Sequence, residues 1–257
     1  MLQAHSLLWH YLWVAPNVLL LLLAVWGWRH HLKEQFPVFL IFAVLSANQQ
    51  LTLYLADILP WVSGEIFWRI DWICLLIDAL LKFVLIAELF SRLFGPYPSI
   101  AQTSRWFVRG AGATLVFLAT VVAVNSRSDS TFIVISGTHL LGQTAFIIES
   151  GLVLLLFLFA GYFRLSWDRA SFGVALGLGI SASVHLATWA AMANSELSVH
   201  GRILLDFLNM ATYHVCVLIW FYYLLVPSKK VSRPGGPPPP EHSLEVWNRE
   251  LERLLHQ

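Results

Sequence analysis

Seven long apolar stretches separated by short polar loops run through this 257-residue chain. A helix needs about 20 mostly apolar residues to cross the hydrocarbon core of a bilayer. The stretches lie near Leu12–Trp28, Phe36–Leu59, Ile70–Leu93, Phe107–Val124, Phe132–Phe163, Phe172–Ala193 and Ile203–Val226. Each is continuously apolar rather than alternating, which selects helices over barrel strands. The chain is 58% hydrophobic and only 12% charged, too little charge to cover a soluble surface, where about 25% is usual. The expected fold class is therefore all-α: a polytopic seven-transmembrane-helix bundle over residues 1–227.

Lys and Arg in the loops set the expected orientation. Arg29, Lys33, Arg92, Arg105, Arg109, Arg164, Arg169, Lys229, Lys230 and Arg233 fall on one side, and Arg69, Arg127 and Arg202 on the other, ten against three. The richer side faces the cytoplasm, so the N-terminus is expected outside and the C-terminus inside. Tryptophans gather near the expected span ends, where amphipathic rings favour the headgroup zone. MLQAHSLLWHYL lacks the basic region and small-residue cleavage site of a secretory signal, so the first span is expected to act as an uncleaved insertion signal. Short loops and the charge bias suit a bacterial inner membrane. Net charge is +1, which carries no nucleic-acid footprint. Cys74 and Cys216 both fall within spans, giving neither metal spacing nor a disulfide framework.

Prolines sit where helices tolerate them: Pro16 and Pro37 are expected in first turns, and Pro60 closes the second span. Residues 228–240 hold SRPGGPPPP, a semi-rigid polyproline-type spacer. Beyond it, across 241–257, Leu244, Trp247, Leu251, Leu254 and Leu255 recur at helical spacing. A lone helix of this length is marginal in water, so it is expected to dock. Its polar face mixes Glu245, Glu250 and Glu252 with Arg249 and Arg253, which favours a cytoplasmic protein partner over anionic lipid.

Ionisable groups inside spans cost about 2.5–3.5 kcal/mol each at the helix centre and usually face the bundle interior. Asp71, Asp78 and Lys82 project from nearly one helix face, with Asp78 and Lys82 at i,i+4. Asn48, Gln49, Asp78, Lys82, His139, Gln143, His185, Asp206, Asn209, Tyr213 and His214 lie at similar depth on five spans. They are expected to meet in one outward-opening pocket for a small polar ligand or ion. The alternative is an internal hydrogen-bond network that orders the helices. Glu88 and Arg92 read as a structural ion pair, and Glu149 has no partner in its own span.

No catalytic or cofactor motif is complete. The last span lacks the lysine that a retinal Schiff base needs, and Met210 and Leu218 flank His214 where a paired metal-binding histidine would stand. Four functional readings remain: a receptor or adaptor signalling through the tail, a haem or metal redox enzyme using His139, His185 and His214, an ion or proton transporter, and an accessory subunit.

Overall fold

The computed structural model describes residues 6–30, 32–95, 131–162, 165–192, 198–226 and 241–255, with a few isolated positions between 106 and 121. For 131–141, 241–244, 246 and 250 the description is of backbone alone. The expected fourth span at 107–124 lies almost wholly outside the described residues, and the 228–240 spacer entirely so.

All described secondary structure is helical: α1 (Leu7–Arg29), α2 (Leu32–Gln35), α3 (Pro37–Ile58), α4 (Gly64–Phe94), α5 (Thr131–Tyr162), α6 (Arg169–Met192), α7 (Val199–Leu225) and α8 (Glu241–Leu255). Five are long and apolar enough to cross a membrane: α1, α3, α6, α7 and the Gly142–Tyr162 part of α5, and these make the chain a membrane protein. At 31 residues, α4 has ample length, but Glu65, Arg69, Asp71, Asp78, Lys82, Glu88 and Arg92 make it too charged to join them.

Serines start several helices by accepting a backbone N–H that lacks a helical partner. Ser6 accepts from Trp9 at 3.3 Å, Ser63 from Ile66 at 3.3 Å and Ser198 from Gly201 at 3.2 Å. Asp168 does the same for Ser171 at 2.8 Å. These caps extend the helices beyond the purely apolar stretches. Pro16 is accordingly a correction: α1 begins at Leu7, so Pro16 lies in the helix interior rather than the first turn. Its ring denies a hydrogen bond to the carbonyl four residues earlier, that of Leu12.

The six long helices form a closed ring in the order α1–α3–α4–α5–α6–α7 and back to α1. Most neighbours are antiparallel, as Tyr54 against His10 (α3–α1) and Phe146 against His185 (α5–α6) illustrate. The pair α4–α5 is parallel. Leu75 meets Gly142, Lys82 meets Glu149 and Phe94 meets Phe159, so both numbers climb together.

One half of the ring is a dry core. Phe36, Phe39, Phe42, Leu85, Ile86, Leu89, Phe90, Phe94, Leu156 and Trp220 are all buried to 2% exposure or less. Lipid is as apolar as leucine, so close packing rather than water exclusion holds such helices together. Glycines permit that approach between α6 and α7: Gly173 lies against Tyr223 and Gly177 against the Trp220 indole. A Cβ at either would overlap the aromatic side chain. Gly177→Val should cost about 1–3 kcal/mol by overpacking, read as a lowered unfolding temperature of the purified protein. The exposed Gly151→Val, with open space around it, serves as control.

Candidate functional site

The other half of the ring holds a cavity of about 250 Å³. It lies towards the N-terminal ends of α1, α4 and α7 and the C-terminal ends of α3 and α6. Trp13 and Asn17 line it from α1, Ser46, Gln49 and Gln50 from α3, and Asp71, Cys74, Asp78 and Lys82 from α4. Phe146 lines it from α5, Ser181 and His185 from α6, and Asn209, Met210 and Tyr213 from α7. Phe42 and Trp220 also line it, packed edge to face at 5.8 Å, and adjoin the dry core.

Lys82 is the centre of the charged groups. Its ammonium, in a side chain buried to 9% exposure, lies 3.0 Å from Asp78 Oδ2 and 3.5 Å from Glu149 Oε2. The Phe146 ring is 5.5 Å away. An ammonium has three N–H donors; the two carboxylates take two of them, and the aromatic face lies within cation–π range of the charge. Ser46 donates to Asp78 Oδ1 at 2.9 Å, carrying the cluster onto α3. Glu149, at 2% exposure, leaves Oε1 buried without a hydrogen-bond partner among the described residues. Fully ionised, two carboxylates against one ammonium leave an excess negative charge.

The remaining polar groups pair among themselves. His185 Nδ1 lies 2.9 Å from the Ser181 carbonyl; a carbonyl only accepts, so Nδ1 carries the hydrogen and Nε2 of the neutral ring is an acceptor. The imidazole stacks on Phe146 at 4.7 Å. Tyr213 donates to Asn17 Oδ1 at 3.2 Å, and the Asn17 amide donates to the Trp13 carbonyl at 2.6 Å. Thr188 donates to Asn209 Oδ1 at 2.9 Å.

Of the residues singled out from sequence, Gln49, Asp78, Lys82, His185, Asn209 and Tyr213 line this one cavity. The others do not. Asn48 is exposed and turns its amide onto the Val44 carbonyl at 2.7 Å. Gln143 is exposed. Asp206 is half-buried outside the lining, and His214 packs against Tyr11 at 5.7 Å with its Nδ1 buried and unbonded. A helix turns about 100° per residue, so neighbours at one depth face different ways. The His139 side chain lies outside the described residues.

The pocket predicted from sequence omits Asn17, Ser46, Asp71, Cys74, Phe146 and Ser181, all of which line the cavity; Asn17, Ser46, Asp71 and Ser181 are polar residues within apolar runs, whereas Cys74 and Phe146 carry no such signal. Cys74 is half-buried on the cavity wall, whereas Cys216 is fully buried. The Glu88–Arg92 pair forms at 2.9 Å, with Arg92 also 4.0 Å from the Phe36 ring. Among the described residues no three His, Cys, Asp or Glu side chains converge as a metal site.

In α8, Trp247, Leu254 and Leu255 are exposed and Leu251 is partly buried against the core. The side chain of Leu244 lies outside the described residues.

Removing one member of a buried ion cluster strands the others, typically at about 3–5 kcal/mol. Lys82→Met should therefore lower the unfolding temperature more than Glu149→Gln. Combining Lys82→Met with Asp78→Asn and Glu149→Gln should recover most of the loss. Thermal unfolding in detergent reads both.

Comparison with protein-family models, curated proteins and solved structures finds no match to this chain.

Proposed function

We propose that the protein is a seven-span receptor or sensor, with its N-terminus outside and its C-terminus cytoplasmic. It binds a small polar ligand or ion in an outward-facing intramembrane pocket and contacts a cytoplasmic protein through its tail helix. The observation that carries the reading is the cavity itself. It is large enough for a small molecule, lined by polar groups from several helices and bounded by packed aromatic rings.

The topology rests on two supports. Lys and Arg crowd the loops at the end opposite the cavity. The parallel run of α4 and α5 requires the intervening chain to return across the bundle, and the apolar stretch 107–124 is the segment suited to do so. With α4 counted despite its charges, the spans number seven. Short loops and the same charge bias favour a bacterial inner membrane.

The charged cluster at Lys82 also suits a transporter carrying an ion or a proton. Phe42, Phe39 and Trp220, packed at 5.6–5.8 Å around the indole, argue instead for a pocket closed on its inner side.

Cys74 offers a direct test, because a polar thiol reagent reaches a mid-bundle cysteine only through a water-filled opening. A membrane-impermeant methanethiosulfonate should label Cys74 from outside intact cells, while Cys74→Ala abolishes labelling. Labelling from the cytoplasmic side alone would reverse the orientation, and none from either side would remove the open pocket. The tail makes a second expectation. Deletion of 241–257 should leave the bundle folded, with only the small loss expected from the partly buried Leu251, and abolish recovery of a cytoplasmic partner in cross-linked membranes. Undiminished recovery would sink the tail's role.

A further inference from the structure

The donors and acceptors on the cavity wall specify the charge of an occupant as well as its polarity. Lys82, the cavity's cation, is already engaged by Asp78, Glu149 and the Phe146 ring. Its charge is more than balanced by the two carboxylates beside it, which disfavours an anionic ligand. The free capacity is of the opposite kind. Asp71 lines the cavity and makes no hydrogen bond or ion pair with any described residue. With its Nδ1–H given to the Ser181 carbonyl at 2.9 Å, the neutral His185 ring presents Nε2 as an acceptor. Tyr213 has given its hydrogen to Asn17 and keeps oxygen lone pairs. Three carboxylates, Asp71, Asp78 and Glu149, stand against one ammonium in and beside this space.

We propose, resting on the reading of the cavity as a ligand pocket, that it takes a small organic cation. The fitting class is a primary ammonium with a compact apolar body, whose charged head pairs with Asp71. Asp71 lies seven residues before Asp78 on the same helix, about 10 Å nearer the N-terminal end of α4. An ammonium held there leaves that depth for the body to reach towards Phe42 and Trp220. The volume of about 250 Å³ equals that of about eight waters at about 30 Å³ each. A ligand of roughly ten heavy atoms fits it on the same measure. Anions are refused by the uncompensated carboxylate, and neutral analogues forgo a charge-assisted bond.

The test uses the full chain in nanodiscs of zwitterionic lipid, with phenethylammonium, 2-phenylethanol and 3-phenylpropionate as matched cationic, neutral and anionic probes. Calorimetry should give saturable binding of the ammonium, at least about tenfold weaker binding of the alcohol and no competition by the carboxylate, as loss of a charged hydrogen bond implies. Asp71→Asn should weaken the ammonium by about tenfold or more and leave the alcohol unchanged, with Asp71→Glu retaining most of the affinity. Alcohol or carboxylate binding as tight as the ammonium, or an ammonium indifferent to Asp71→Asn, would overturn the cation while keeping the pocket. Failure of all three probes also overturns the cation. The pocket then stands or falls on Cys74 labelling, which uses none of them. Should Asp71→Asn fail to unfold cooperatively, the ranking of probes on the unaltered chain decides.

Discussion

A lysine ammonium in the middle of a lipid-embedded bundle is tolerable only with opposite charge beside it, and the arrangement of helices follows from how Lys82 obtains it. Asp78 lies one turn away on the same helix, but a single carboxylate leaves two N–H groups unmet. Glu149 comes from α5 at 3.5 Å and thereby fixes α4 against α5 in parallel register. Ser46 draws α3 in through Asp78 at 2.9 Å. Breaking such a cluster costs far more than making it gains. Its main effect is therefore to exclude alternative registers of these three helices rather than to add stability.

The rest of the ring repeats the principle with weaker partners. At the level of the cavity, α6 and α7 meet through Thr188 and Asn209, α7 and α1 through Tyr213 and Asn17, and α1 and α3 through His10 and Tyr54. The α5–α6 seam is joined by Phe146 stacked on His185. Single interhelical hydrogen bonds of this type contribute about 0.6 kcal/mol on average, so they direct contacts more than they hold them. The opposite half has few such ties and relies on shape, with Gly173 and Gly177 admitting Tyr223 and Trp220. That division accounts for the open space beside the charged cluster. Polar side chains bridging between helices hold backbones apart, whereas glycines bring them together until no space remains.

Continuous apolar runs made helices and a membrane environment legible, because nothing else buries such segments. Which face of each helix turns inward was not legible. In a soluble helix polarity marks the outside, but here lipid and core are equally apolar and the usual stripe is absent. Gln49 lines the cavity while its neighbour Asn48 is exposed, and Asn209 lines it while Asp206, three residues earlier, does not. Asp78 and Lys82 were paired from spacing because their contact is local. Glu149 looked solitary because its partner lies on another helix, and no spacing rule reaches across that distance. The cavity's lesser members, Ser46 and Ser181, are of a type that elsewhere in the chain caps helices, so residue type alone does not mark them as cavity lining.

Under the receptor reading, α7 is the helix through which occupancy reaches the far side. It supplies Asn209, Tyr213 and Trp220 to the cavity wall, and its last turn leads towards the tail. Trp220 is 1% exposed, with its indole N–H donated to the Val174 carbonyl at 3.4 Å. Its ring is seated on Gly177 between Phe39 and Phe42. An indole so confined cannot slide gradually; it keeps its place or the α6–α7 seam opens, since packed interiors are bistable rather than compliant. A ligand biases that choice only by the difference in its affinity for the two arrangements. Contacts made equally in both confer affinity without a signal. For the proposed organic cation, the apolar body directed at the indole is the part able to convey one.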